Sequence, residues 1–266
     1  MIVSLNAIEI SKSKSDEKST WADGHKTLPD LISAFIAVIS NESNSSFVRT
    51  AAIQASGDVC GRGILSVQEA HKQGLLVLLD NLLSSSDNDI CGASMSALSA
   101  LSALGGASVV NFVLSNVPQL FRDVISLPVH RHNEKIKFQQ LHTIADVLNC
   151  PQNQELSDPL LHAFFSPEKL TEFVNIALKC AVDSNQDRAC AGIHLLIGLC
   201  SHIWGAEACL STDTFTGSVL KNPKTHITRD VQCILYSKCK KFFPEIAKKF
   251  VELDLMTYSK HCLQQR

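Results

Sequence analysis

Few residue clusters in this sequence are of the types and spacings that do chemistry. His130-Arg131-His132 sets two imidazoles close together, as a metal site would, but no cysteine or carboxylate stands at ligand spacing from them. Zinc takes three or four such ligands, so the triplet reads as a solvated turn. Cys200 and His202 invite comparison with a thiolate–imidazole pair. At i and i+2 on a helix their side chains point to different faces, and they read as a core cysteine beside a rim histidine. The phosphate loop GxxxxGK[ST], the dinucleotide fingerprint GxGxxG after a strand, HExxH and the GxSxG elbow are all absent. The expectation is a protein without enzymatic activity, with no catalytic residue, no metal and no cofactor.

What remains is binding, and that depends on the elements. The chain has 266 residues, 45% of them hydrophobic and 19% charged, so it has the apolar material for a core. Aromatics are only 6%. That mixture, dominated by Leu, Ala, Ser, Val and Ile, suits closely packed helices better than a β-sandwich. Ten cysteines fall without any CxxC pair in a chain too long to need disulfide staples, and they read as reduced, small, buried residues.

A periodic frame organises the chain. Val48, Ala51, Ala55 and Val59 hold the first, fourth, eighth and twelfth places of an apolar or small-residue stripe. Ile90, Ala93, Ala97 and Leu101 repeat it, as do Arg188, Ala191, Leu195 and Leu199 with only the first place lost. Weaker copies are Ile136, Gln139, Thr143 and Val147, then Thr228, Val231, Leu235 and Cys239. The steps are 42, 46, 52 and 40 residues, which straddle the period of armadillo and HEAT repeats. In three units a new apolar helix is expected 16 residues after the last frame position, from Val59 to Leu75, Leu101 to Val117 and Leu199 to Phe215. Glycine or small-residue breaks stand between, as in Leu104-Gly105-Gly106-Ala107 and Trp204-Gly205-Ala206. Each unit then reads as a short connector helix, a middle helix such as Leu75 to Leu83, and a long helix carrying the frame.

The expected fold class is therefore all-α, an armadillo/HEAT-like α-solenoid of about four to five repeats over residues 28–266. Residues 1–27 are expected to be a flexible polar leader, with Trp21 its one docking residue. Pro244 opens an amphipathic stretch expected to be a capping helix at 244–264, with Ile246, Ala247, Phe250, Leu253 and Met256 on one face. Small frame residues let helices cross closely, while stacking of units supplies the burial that a single unit lacks. Trp204 reads as a wedge between units.

The frame also nominates a binding face. The long helix of peptide-binding armadillo importins carries a Trp and, four residues on, an Asn. Those places hold Gln54 and Asp58 in the first frame helix, Ser96 and Ala100 in the next, then His142 and Asp146, then His194 and Gly198. The Trp–Asn ladder is absent, which argues against an importin of basic cargo. The same places face away from the packed core, and Gln54, Asp58, His142, Asp146 and His194 are the expected partner contacts on a concave ridge.

Charge is uneven. Residues 221–266 carry ten Lys or Arg against four Asp or Glu, and residues 1–220 carry 14 against 22. A near-neutral total without a basic stripe and stacking aromatics argues against nucleic acid. The basic end reads as a solvated cap or a dock for an acidic protein. The N-terminal residues lack the basic and continuous apolar regions of a secretory signal, and no uninterrupted apolar run of 18 residues is evident. No membrane partner is expected, and the expected location is cytoplasmic or nuclear, as a monomer when unbound.

One family resemblance adds to this. The segment Arg188-Ala189-Cys190-Ala191-Gly192-Ile193-His194-Leu195-Leu196-Ile197-Gly198-Leu199, followed by the Trp204-Gly205 turn and Phe215, resembles the closing repeats of the proteasome non-ATPase regulatory subunit 5 family. Ile246-Ala247-Lys248-Lys249-Phe250, with Leu255, Thr257 and Tyr258, is similar to that family's last helix. The resemblance implies an assembly chaperone for the base of the 26S proteasome regulatory particle, an armadillo/HEAT solenoid gripping an ATPase subunit. The alternative is a generic armadillo scaffold unrelated to the proteasome.

Overall fold

A computed structural model describes residues 20–127, 133–150, 161–212 and 215, with side chains from Leu28 onward. Among the described residues there are ten helices and no strand. They are α1 (Thr20–Ser40), α2 (Ser46–Cys60), α3 (Ile64–Lys72), α4 (Leu75–Leu83), α5 (Asn88–Asn116), α6 (Pro118–Ser126), α7 (Glu134–Asn149), α8 (Pro167–Ala181), α9 (Gln186–Leu199) and α10 (Ile203–Leu210).

The frame helices are α2, the first half of α5, α7 and α9, and each packs on the next. Their starts are set locally. Ser45, Asp87, Asn133 and Asn185 stand at their N-caps, each accepting backbone N–H groups that the first turn would leave unpaired. Between α2 and α5 the chain runs through the connector α3 and the middle helix α4, which starts at Leu75 as the spacing predicts. α6 starts at Pro118 with Val117 as its N-cap, and Phe215 is fully buried. Gly106 (φ 61°) bends α5, so its second half serves as the connector of the following unit. α5 is long and apolar enough to cross a membrane by length and composition alone. That bend, and the burial of Ile90, Cys91, Ala97, Leu101, Val109 and Val113, place it in the stack.

The frame stripe faces the frame helix before it. In α5, α7 and α9 its positions are mostly buried, whereas Val48 and Ala51 of α2, first of the four, are exposed. Small residues hold the crossings as expected. A Cβ on Gly57 would stand 2.5 Å from Ala97 Cα, and one on Gly198 would stand 3.1 Å from Leu148 Cβ and 3.3 Å from Ala145 Cα. Between α8 and α9, a Cβ on Gly192 would lie 2.5 Å from the Ala177 carbonyl oxygen. The seven described cysteines are free thiols, six of them buried. Burial pushes Cys60 up to about 12 and Cys150 up to about 11, which keeps both as unreactive thiols.

Two details depart from expectation. α1 begins at Thr20, inside the stretch read as a loose leader, because polar residues extend a helix whose register Ile32, Phe35, Ile36 and Ile39 anchor. His202 is buried, not at a rim: α9 ends at Leu199, and the turn that follows swings the ring inward, where Nε2 donates to the Leu148 carbonyl at 3.1 Å. Helical facing rules do not apply across that turn. Trp204 does wedge between elements, stacked between His162 (5.3 Å) and His202 (5.2 Å) and touching Phe165. The fifth frame copy from Thr228 to Cys239, the cap at 244–264, the basic end and His130-Arg131-His132 lie outside the described residues.

On the far side of the stack from the frame, Asp80 of α4 meets Asp123 of α6. Burial first, then the Asp123 carboxylate, pushes the Asp80 carboxyl up to about 6 from the usual 3.8. The folded chain therefore binds more protons than the unfolded one between those values, and stability falls as pH rises through them. Asp80→Asn should raise stability at neutral pH by about 1 kcal/mol, a figure reduced for solvent screening. Thermal melts at about pH 7 and about pH 4 check this; a gain at both, or at neither, would contradict it.

Candidate functional site

The frame helices carry the ridge positions in register. Gln54 and Asp58 on α2 are exposed, Ser96 and Ala100 on α5 are half-buried, and so are His142 and Asp146 on α7 and His194 on α9. Gly198 is buried against α7. Of the five expected contacts, the structure brings three together. His142 Nδ1 lies 3.0 Å from His194 Nδ1, and His194 Nε2 lies 3.4 Å from Asp146 Oδ1. Gln54 and Asp58 stand two frame helices away, at the start of the ridge.

Around this face the helices are tied by polar rungs. Ser46 donates to Asp87, Lys135 pairs with Asp89 at 3.2 Å, and Arg188 pairs with Glu134 and with Asp183. The Ser46, Lys135 and Glu134 contacts link the opening turns of α2 to α5, α5 to α7 and α7 to α9, while Asp183 lies in the loop before α9. Exposed pairs of this kind contribute little individually. Deeper in, Ser99 donates to Thr143 Oγ1 at 3.1 Å, and the single Thr143 hydroxyl hydrogen is shared between the carbonyls of Gln139 (2.8 Å) and Met95 (3.1 Å). Thr143 is a frame position that sequence reasoning read only as a weakened apolar place. Its hydroxyl holds α5 to α7, a role that only the side-by-side placement of two helices 44 residues apart reveals.

Electrostatically the ridge is mild. Burial first, then the neighbouring His194, hold His142 below the usual histidine range, against the opposite pull of Asp146. No group of three or more His, Cys, Asp or Glu among the described residues is arranged to hold a metal ion. The two histidine nitrogens point at each other instead of converging on a third point. The arrangement can offer hydrogen bonds and one carboxylate to a partner, spaced along successive helices.

No family model matches the sequence, and no curated protein matches it. Solved structures match the fold. A computationally designed armadillo repeat protein made for modular peptide recognition gives a TM-score of 0.59 at 12% identity, over 87% of this chain and 90% of that one. A designed armadillo repeat protein in complex with the peptide (KR)4 gives 0.63 at 12% identity, over 87% and 89%. A further designed armadillo repeat protein gives 0.62 at 12% identity, over 87% and 90%. At such identity the likeness is one of fold, and it assigns the chain to the armadillo-type solenoids.

Proposed function

We propose that this armadillo solenoid is a non-enzymatic protein-binding scaffold, docking a partner along the ridge of α2, α5, α7 and α9. The observation that carries the reading is the register of that ridge: Gln54, Asp58, His142, Asp146 and His194 occupy equivalent places on stacked helices, each one residue before a frame position. Two of the similar designed proteins are described by peptide recognition or by a bound peptide, on the same architecture. A pre-ordered array of side chains loses little freedom on binding, which favours such a face as a dock. Inside a cell, in cytoplasm or nucleus, the specific role we favour is a chaperone for assembly of the 26S proteasome regulatory-particle base. It would hold an ATPase subunit and shield its other interfaces. That choice rests on the resemblance of residues 185–260 to the proteasome non-ATPase regulatory subunit 5 family. A generic armadillo scaffold is the second reading, favoured by the fold likeness to designed armadillo repeat proteins.

Affinity purification under conditions that preserve assembly intermediates separates the two. Recovery of proteasomal ATPase subunits supports the chaperone; recovery of other proteins without them supports the scaffold. For either, Asp58→Lys combined with Asp146→Lys should weaken capture about tenfold or more while leaving the helical circular dichroism unchanged. Undiminished capture would remove these residues from the binding face.

A further inference from the structure

The two ridge histidines meet nitrogen to nitrogen. With the Nδ1 atoms 3.0 Å apart and the ring centres 5.3 Å apart, the nitrogens face each other along the line joining the rings. One of them carries the bridging hydrogen. A carboxylate can only accept, so Asp146 at 3.4 Å favours a hydrogen on His194 Nε2. In the neutral ring that leaves His194 Nδ1 as the acceptor and makes His142 Nδ1–H the donor. Asp146, His194 and His142 then form one matched chain across α7 and α9.

We propose that this pair is a proton-operated catch between ridge helices α7 and α9, closed while the histidines share one bridging hydrogen and opened when both become imidazolium. A first added proton has a place on His142 Nε2, and the bridging bond survives it. A second proton has only His194 Nδ1, where it would set N–H against N–H between two cations. The rings must then part, and the side-chain link between α7 and α9 is lost with them. Burial already disfavours charge on His142, so that ring takes up its proton less readily in the folded chain than in the unfolded one. The stability that the catch contributes is present above the ordinary histidine value and is lost as pH falls below it.

On α7 the nearest charge is Asp146; Glu134, Lys135 and Lys137 lie in the helix's opening turn. On α9 Asp187 and Arg188 likewise lie in the opening turn. α5 contributes uncharged Ser96 and Ala100 at the matching places. The Arg122 and Asp123 charges of α6 are engaged with Phe164 and with Gln119 and Asp80. α8 pairs Lys169 with Glu172, and its remaining charges are Glu168 and Lys179; α10 carries only Glu207. Opening needs no partner; its effect on docking rests on the protein-binding reading, since acid would turn this part of the ridge from negative to positive.

Histidine ring NMR of the full chain, titrated from about pH 8 to about pH 5, tests the catch. The expected result has the hydrogen on Nδ1 of His142 and on Nε2 of His194 at the alkaline end, with the two rings titrating as a coupled pair. In melting curves the wild type should lose roughly 2–4 °C more than His142→Gln over the same range. Should His142→Gln fail to fold, Asp146→Asn serves, and it should lower the pair's first step further by removing the favourable carboxylate. Independent titration of both rings at the ordinary histidine value, or Tm profiles that stay parallel, would overturn the proposal. Because these readouts use the free chain, they are unaffected by success or failure in capturing a partner.

Discussion

Gly57→Val should destabilise the chain by about 3 kcal/mol and lower Tm by roughly 5–10 °C. On helix propensity alone the opposite sign is expected, because replacing a helical glycine normally gains up to about 1 kcal/mol. The crossing of α2 and α5 reverses it. A Cβ at position 57 would lie 2.5 Å from Ala97 Cα, 2.6 Å from its carbonyl oxygen and 2.8 Å from its Cβ. These are backbone atoms and the first side-chain carbon, not the end of a flexible chain, so the helices must separate. Gly63, which precedes α3 and has nothing within 4 Å of its would-be Cβ, is the control. Gly63→Ala should stay within about 0.5 kcal/mol of wild type. In a solenoid each unit leans on its neighbours. The loss at Gly57 should therefore appear first as faster amide exchange in α2 and the first half of α5, with α9 less affected. Calorimetry and hydrogen exchange check both parts; a Gly57→Val Tm equal to that of wild type would mean that α2 and α5 do not cross so closely.

The same crossing shows why much of the fold was legible in the sequence. A close approach demands small residues at fixed intervals, and that demand left a written trace in Ala93, Ala97, Ala191 and the glycines near them. The bend at Gly106 was legible for a similar reason, since a paired glycine interrupts an apolar helix pattern that is otherwise continuous from Ile90 to Val113. The offsets that placed helix starts at Leu75 and Val117 follow from a repeat of constant size. None of these needs knowledge of a distant partner.

The site was legible only in outline. The frame nominated the residues that leave the packed face: Gln54 and Asp58 are exposed, His142, Asp146 and His194 are half-buried, and Gly198 at the same place is buried. It did not show that His142 and His194, 52 residues apart, touch head to head. That contact depends on the rise and twist between α7 and α9, which spacing does not encode. Asp80 and Asp123 escaped notice for the same reason: each looks like an ordinary surface carboxylate until α4 and α6 are set side by side. His202 was misplaced because two residues beyond a helix end no longer obey helical geometry.

Phe121→Ala should cost about 3–5 kcal/mol, the range for emptying a filled aromatic site. Phe121 of α6 is fully buried, edge-to-face with Phe164 at 5.3 Å and Phe165 at 6.5 Å. Phe165 in turn meets Phe173 at 6.1 Å and Trp204 at 5.3 Å. Through Phe165, Phe121 thus links the middle helix α6 to α8 and α10, and edge-to-face pairs of this kind add about 0.5–1.5 kcal/mol beyond burial. The consequence should be visible at a distance. The sequence contains two tryptophans, Trp21 and Trp204, so in a Trp21→Phe background the emission reports on Trp204 alone. Phe121→Ala should shift that emission to longer wavelength at a temperature where wild type is unchanged, as the Phe165 contact loosens and water reaches the indole. Phe121→Leu, which keeps most of the volume, should cost under half as much and leave the emission in place. A large loss of Tm without any change at Trp204 would show that the two units melt separately, and that the aromatic chain fills space without coupling them.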